Sequence, residues 1–117
     1  MSLWLPVVLY MAAIFVVSGI PDPPMPSNVP DVSMHEAAYF GLTVLIIRAV
    51  AKDRWSGVTV ATLATAFVMA VAYGASDEWH QSFVPMRHAE LRDLVADAIG
   101  AFAATVVVGA WGIIRRL

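Results

Sequence analysis

The segment GVTVATLATAFVMAVAYGA, residues 57–75, contains nineteen residues and no charged side chain. A helix needs about 20 residues to cross the hydrocarbon core of a bilayer. The apolar residues follow one another without a break, whereas in a membrane β-strand they would alternate with polar residues. The four apolar runs of this chain are also too few strands to close a β-barrel, so a helix is favoured over a strand. The segment therefore predicts a membrane-spanning helix.

The composition of the whole chain also indicates lipid as its main solvent. Of its 117 residues, 60% are hydrophobic and 14% are charged, whereas a soluble domain is about half apolar and about a quarter charged. The net charge of −2 gives no basic surface for nucleic acid. The absence of cysteine excludes disulfides and thiolate metal sites. The length allows a single domain, residues 1–117.

Three further apolar runs accompany residues 57–76. The first has no basic residue before it, so we interpret it as a retained anchor rather than a signal peptide. Five prolines in PDPPMPSNVPD, residues 21–31, end its helix. The sequence predicts an all-α membrane protein, a four-transmembrane-helix bundle with helices at about 3–20, 35–51, 57–76 and 93–114.

Basic residues predict the orientation of these helices. Short cytoplasmic loops are enriched in Lys and Arg. Five basic residues lie at or just after the end of the second run or at the C-terminus: Arg48, Lys52, Arg54, Arg115 and Arg116. We therefore expect both termini in the cytoplasm, with the proline-rich linker and residues 77–93 on the outer side.

The segment DEWHQSFVPMRHAELRD, residues 77–93, holds eight of the nineteen Asp, Glu, Lys, Arg and His residues. In the predicted topology it joins the end of the third helix to the start of the fourth, beside the start of the second. Residues three or four apart share a helix face, and small residues on such a face allow close packing in lipid. Two such stripes predict contact between the third and fourth helices: Ala66, Ala70 and Gly74, and Asp93, Asp97, Gly100 and Ala104.

This arrangement predicts a polar cluster at the outer face. A charged side chain at a helix centre costs roughly 2.5–3.5 kcal/mol on translocon scales, and such residues usually mark function. The structural alternative is that Arg87 or His80 neutralises the acids and only holds the helices together. The predicted cluster consists of Asp31, His35, Asp77, Glu78, His80, Gln81, Arg87, Asp93 and Asp97.

Three patterns in the chain resemble the VanZ-like family of small bacterial membrane proteins, over roughly residues 31–104. They are Asp31-x-x-x-His35-x-x-x-Tyr39-Phe40, SDEWHQSFVPMR at residues 76–87, and DLVADAIG at residues 93–100. The chain departs from the family's common residues at Val32, Met86 and Asp97, where Lys, Gly and Asn are usual. Asp97 adds negative charge to the predicted cluster.

The resemblance implies a bacterial cytoplasmic-membrane protein with a site at the positions of the predicted cluster and at Gly100. The family's named member is associated with resistance to teicoplanin-type glycopeptides. A leading hypothesis is therefore an envelope protein that binds a lipid phosphate or a lipid-linked cell-wall precursor head group, with Arg87 and Arg92 on the phosphate. Besides the bilayer, a second copy of the chain is an expected partner, since small-residue faces also fit one another.

Two other hypotheses remain open from the sequence. In a membrane-embedded enzyme, Glu78 would act as a general base and His80 as a proton shuttle, or two His with carboxylates would hold a divalent metal. The DE-x-H spacing is not the H-E-x-x-H of metalloproteases, so no metal and no cofactor are expected. In a proton relay, Asp97 and His80 would carry the proton.

Overall fold

The computed structural model describes residues 2–20, 31–85 and 91–116, although the side chains of Asp31, Val32 and Arg116 lie outside this description. The predicted proline-rich linker also lies outside it, apart from the backbone of Asp31. The described residues form four α-helices and one 3-10 turn at Trp55–Gly57, without a strand. The all-α prediction is confirmed for this part of the chain. The helices are α1 (Trp4–Ser18), α2 (Asp31–Val50), α3 (Val60–Gln81) and α4 (Leu91–Arg116).

Helix α3 extends five residues beyond the predicted end at residue 76. At its start, the Thr59 hydroxyl accepts a hydrogen bond from the Thr62 backbone, and the Thr62 hydroxyl accepts one from the Thr59 backbone. This reciprocal capping satisfies two backbone donors that a helix start leaves unpaired. No Gly or Pro interrupts residues 75–84, so the polar segment 77–81 continues the helix.

The connection between α2 and α3 is tight. Lys52 and Asp53 adopt left-handed conformations, with φ of 58° and 60°. A Cβ added to Gly57 would lie 2.4 Å from the carbonyl oxygen of Ala51, so only glycine fits without a shift of the backbone. Across this connection, residues 51–59, α2 and α3 run antiparallel, and the start of α2 lies beside the end of α3.

Helix α2 contacts the other three helices, α4 packs against α2 and α3, and α1 packs against α2 and α3. The interior of α3 and α4 is lined by fully buried small residues, namely Ala66, Ala70, Ala101 and Ala104. Large apolar side chains are instead exposed on the outside, among them Val60, Val68, Phe102 and Ile113. Small residues on the buried faces of α3 and α4, with large apolar residues on their exposed faces, are typical of helices that pack in lipid.

Two of the described helices are long and apolar enough to cross a membrane, at Val60–Gln81 and Leu91–Arg115. Helix α1 is apolar as well but has only 15 residues. The sequence predicted four membrane-spanning helices, and among the described helices α3 and α4 have the length and composition to be such helices.

Two glycines allow close helix packing near the predicted cluster. A Cβ at Gly74 would lie 3.0 Å from Oδ2 of Asp97, so this part of the α3 stripe faces α4 as predicted. A Cβ at Gly100 would lie 2.2 Å from the carbonyl oxygen of Glu36, so this part of the α4 stripe faces α2 instead. Helix α4 is therefore held between α2 and α3 at the end of the bundle that carries the predicted cluster, which we call the polar end.

Candidate functional site

Three side chains from three different helices meet at one end of the bundle. His35 lies near the start of α2, Glu78 near the end of α3 and Asp97 near the start of α4. One ligand atom from each, an imidazole nitrogen or a carboxylate oxygen, lies within 4.8 Å of the others. We call these residues the His35–Glu78–Asp97 triad.

The contact between α2 and α4 in this triad is a hydrogen bond. Nδ1 of His35 lies 2.8 Å from Oδ1 of Asp97, and the two side chains are 12% and 1% exposed. With a proton on Nδ1, the imidazole donates to the carboxylate. The other oxygen of Asp97, Oδ2, is buried and has no hydrogen-bond partner among the described residues.

Further polar side chains are buried at the same end. They include Asp77 and Gln81 on the last turns of α3 and Asp93 in the first turn of α4. The hydroxyl of Ser18, at the end of α1, donates a hydrogen bond to Oδ1 of Asp77 at 2.5 Å. All four helices therefore contribute to this polar end.

His80 occupies a different position from the triad. Its ring stacks on Phe15 of α1, with the ring centroids 4.3 Å apart and the planes inclined by 16°. A Cβ at Gly19 would lie 3.6 Å from its Cε1 atom. His80 therefore packs against α1, and His35 is the imidazole that lies beside Glu78.

Residues 32–112 match the model of the VanZ/LLP1 family. The chain belongs to that family. The matched range contains the whole triad and begins after α1. No curated protein and no solved structure matches the chain. Family membership and the two long apolar helices together indicate a membrane protein.

The polar cluster predicted for this VanZ/LLP1 protein can be followed residue by residue. The structure brings His35, Glu78 and Asp97 into mutual contact range. It places other predicted members, buried, on the same helix ends: Asp77, Gln81 and Asp93. Arg87 and the side chain of Asp31 lie outside the described residues.

The predicted cluster did not include two residues that the structure places at the polar end. Ser18 is the polar residue that closes the first apolar run, and its hydrogen bond to Asp77 brings α1 to the site. Tyr39 is 1% exposed, and its hydroxyl has no hydrogen-bond partner within the described ranges. Its position four residues after His35, on the same helix face, was the available signal.

The chemistry available at this end is mainly that of carboxylates and imidazole. Ionised carboxylates accept hydrogen bonds or bind cations, and a neutral imidazole both donates and accepts. In lipid such groups are costly unless they are paired or functional. The arrangement suits a ligand that is rich in hydroxyl, amide or ammonium groups, or a bound cation.

Proposed function

We propose that this VanZ/LLP1 protein is a four-span protein of the bacterial cytoplasmic membrane that binds the polar head group of a lipid-linked molecule at its outer face. The observation that carries the proposal is the convergence of His35, Glu78 and Asp97 from three helices at one end of the bundle. Buried ionisable groups at the end of a lipid-exposed bundle mark a site by default.

The orientation is supported by the distribution of basic residues. Arg48 lies in the last turn of α2, Lys52 and Arg54 follow that helix, and Arg115 lies in the last turn of α4 on the same side of the bundle. The triad lies at the opposite end. Because cytoplasmic loops are enriched in Lys and Arg, this distribution favours a cytoplasmic basic end and an outward-facing triad.

The chemistry of the polar end favours a head group with hydroxyl, amide or ammonium donors. Carboxylates at Asp77, Glu78, Asp93 and Asp97 accept hydrogen bonds from such donors, and Gln81 offers a donor and an acceptor. Arg92, exposed beside Asp93, and Arg87 would contact a phosphate. A lipid-linked cell-wall intermediate carries a phosphate together with sugar and peptide donors, so it is the ligand class that we propose.

The acyl or prenyl tail of such a ligand would lie against the outside of the bundle. Val95, Ile99 and Phe102 on α4 are about half or more exposed and follow directly from the polar end. An apolar surface that continues from a polar site suits a ligand with a polar head and an apolar tail.

Binding to the purified full-length protein in nanodiscs tests this function. The probe is a fluorescent prenyl-diphosphate-linked disaccharide-pentapeptide, and a diacylglycerol with the same fluorophore is the control ligand. We expect saturable binding of the first probe and at least about a tenfold loss of affinity in Glu78→Gln, which corresponds to about 1.4 kcal/mol. Asp53→Asn, which removes a carboxylate charge at the opposite, exposed end, is the matched control and should bind like the wild type. Equal affinity in Glu78→Gln, or equal binding of both probes, would contradict the proposal.

A cellular measurement accompanies the binding assay. If the protein engages a cell-wall intermediate, its expression should lower susceptibility to teicoplanin-type glycopeptides, and Glu78→Gln should restore susceptibility at an equal protein level. Unchanged susceptibility in cells with the wild-type protein would remove the link to resistance and leave the binding assay to decide on the head group.

The second candidate function is a membrane-embedded enzyme that acts on a lipid-linked substrate. The triad favours it, because a buried carboxylate beside an imidazole suits general acid–base catalysis. His35 replaces His80 as the proposed proton-transfer partner of Glu78. Mass spectrometry of the recovered lipid probe distinguishes the two functions, since an enzyme converts it to a product and a binding protein returns it intact.

A further inference from the structure

We propose that His35, Glu78 and Asp97 bind one divalent transition-metal ion, and that Zn²⁺ suits their donor atoms best. The expectation of no metal came from spacing within one segment of sequence, whereas these ligands come from three helices. The metal site stands without the proposed head-group function, because no lipid ligand is needed to form it.

The first argument is geometric. The ligand atoms of the triad lie within 4.8 Å of one another. In a tetrahedral zinc site with bonds of about 2.1 Å, neighbouring ligand atoms lie about 3.4 Å apart. The difference is small enough for side-chain rotations of His35 and Glu78 to close.

The second argument comes from the free oxygen of Asp97. Asp97 is fully buried, and its Oδ2 atom has no hydrogen-bond partner within the described residues. Buried polar atoms normally have a partner. Gly74 leaves space for this carboxylate beside α3, since a Cβ there would lie 3.0 Å from Oδ2. A metal ion bound between α3 and α4 would satisfy the oxygen.

The close approach of His35 and Asp97 also suits a shared ion. Nδ1 of His35 lies 2.8 Å from Oδ1 of Asp97, so an unprotonated Nδ1 and this carboxylate can bind the same ion, which then replaces the hydrogen bond. All three ligands lie on helices rather than on loops, which holds them in place before the ion binds.

The charge and the donor types indicate which ion fits. Two ionised carboxylates and a neutral imidazole carry a charge of −2, which a divalent cation balances. An imidazole ligand favours Zn²⁺ over Mg²⁺ or Ca²⁺, which prefer oxygen ligands. Three protein ligands leave one position of a tetrahedral zinc ion open to water or to a head-group oxygen.

Zinc titration of the full-length protein in detergent, after treatment with EDTA and its removal, tests the site. Calorimetry should give one Zn²⁺ per chain and much weaker binding of Mg²⁺. Even the loss of a residue that only hydrogen-bonds to a metal ligand lowers metal affinity 10–100-fold. We therefore expect His35→Gln and Glu78→Gln each to weaken zinc binding at least about tenfold, and Asp53→Asn to leave it unchanged.

A second pair of variants locates the ligands and guards against misfolding. Asp97→Asn keeps the size of the side chain and removes its charge, so it should weaken zinc binding in a chain with unchanged helical circular dichroism. His80→Gln removes the imidazole that stacks on Phe15 and should keep wild-type affinity. If a variant does not fold, the zinc stoichiometry of the wild type and the remaining variants decide.

The outcomes separate this site from the proposed function. A wild-type protein that binds no zinc, or triad variants that bind it like the wild type, would overturn the metal site. Loss of zinc binding in His80→Gln instead of His35→Gln would overturn the proposed ligand set. Head-group binding by a wild-type protein that takes up no zinc after the EDTA is removed contradicts the metal site alone, whereas one bound zinc without head-group binding contradicts the function alone.

Discussion

The two ends of the helix bundle both contain a contact between a basic and an acidic side chain, but in opposite environments. At the polar end, His35 and Asp97 lie 2.8 Å apart with side chains 12% and 1% exposed. At the other end, Arg48 and Asp53 lie 3.2 Å apart with side chains 37% and 62% exposed. The distances are similar, so burial is what distinguishes the two pairs.

Burial changes what each pair does for the protein. Exposed pairs contribute about 0–1 kcal/mol because water and salt screen them. Removal of one partner from a buried pair leaves the other without compensation and costs about 3–5 kcal/mol. The comparison indicates that the charges of the polar end depend on one another, whereas those of the basic end contribute little to stability.

The largest expected effect comes from breaking each pair in turn. His35→Ala should lower the free energy of unfolding by about 3–5 kcal/mol, because it leaves the buried Asp97 carboxylate without its imidazole. Arg48→Ala, the matched change at the exposed end, should lower it by about 0–1 kcal/mol. Unfolding by SDS in mixed micelles measures both, and equal losses would refute the contrast.

A pair of glycines in α4 tests the packing at the two ends. Gly100→Ala places a methyl group against the backbone of Glu36 and should destabilise the protein by about 1–3 kcal/mol through overpacking. At Gly112 the nearest atom to an added Cβ is 3.7 Å away, in the Trp55 ring. Gly112→Ala should therefore be neutral or stabilise the helix by up to about 1 kcal/mol. The same SDS titration compares them, and a tolerated Gly100→Ala would show that α2 and α4 are further apart.

The attachment of α1 to the bundle gives a smaller effect. The Tyr73 hydroxyl donates a hydrogen bond to the carbonyl oxygen of Met11 at 2.6 Å. Tyr73→Phe removes this bond and should cost about 0.5–1.5 kcal/mol. Cleavage by a protease at a site engineered after Ser2 should become faster if α1 detaches more often. Unchanged stability and unchanged cleavage would show that α1 is held by other contacts.

The smallest expected effect lies at the basic end. The guanidinium of Arg115 lies 5.1 Å from the centre of the Trp55 ring. Arg115→Gln should cost about 0.5–1 kcal/mol, since cation–π contacts at exposed positions contribute about that much. Tryptophan fluorescence should shift in this variant, and a loss above 2 kcal/mol would mean that the basic end is as interdependent as the polar end.

Much of the fold followed from the apolar runs, because a run of about 20 uncharged residues has few structural solutions. The ends of the helices were less predictable. The polar residues 77–81 were expected to follow α3, yet they extend it, since Asp, Glu, His and Gln continue a helix when no Gly or Pro intervenes. This extension places Asp77, Glu78 and Gln81 on a rigid element.

The meeting of α2, α3 and α4 at one end followed from their alternating directions, but the individual partners did not. A stripe of small residues shows that a helix packs closely and does not show against which helix, so the contact of Gly100 with α2 was missed. The role of Ser18 was missed for a similar reason, because α1 was treated as an anchor separate from the site. Contacts of this kind depend on helix rotation, which spacing alone does not determine.

The central claim is that the polar end faces the outside of the cell. The chain has no cysteine, so single cysteines can be introduced without background. Ser82, just after the end of α3 that carries Glu78, and Ser56, in the connection between α2 and α3, are both exposed. A membrane-impermeable maleimide applied to intact cells, with the outer membrane made permeable where one is present, should label Ser82→Cys and should label Ser56→Cys only after the cytoplasmic membrane is opened. Labelling of Ser56→Cys in intact cells, with Ser82→Cys protected, would contradict the account.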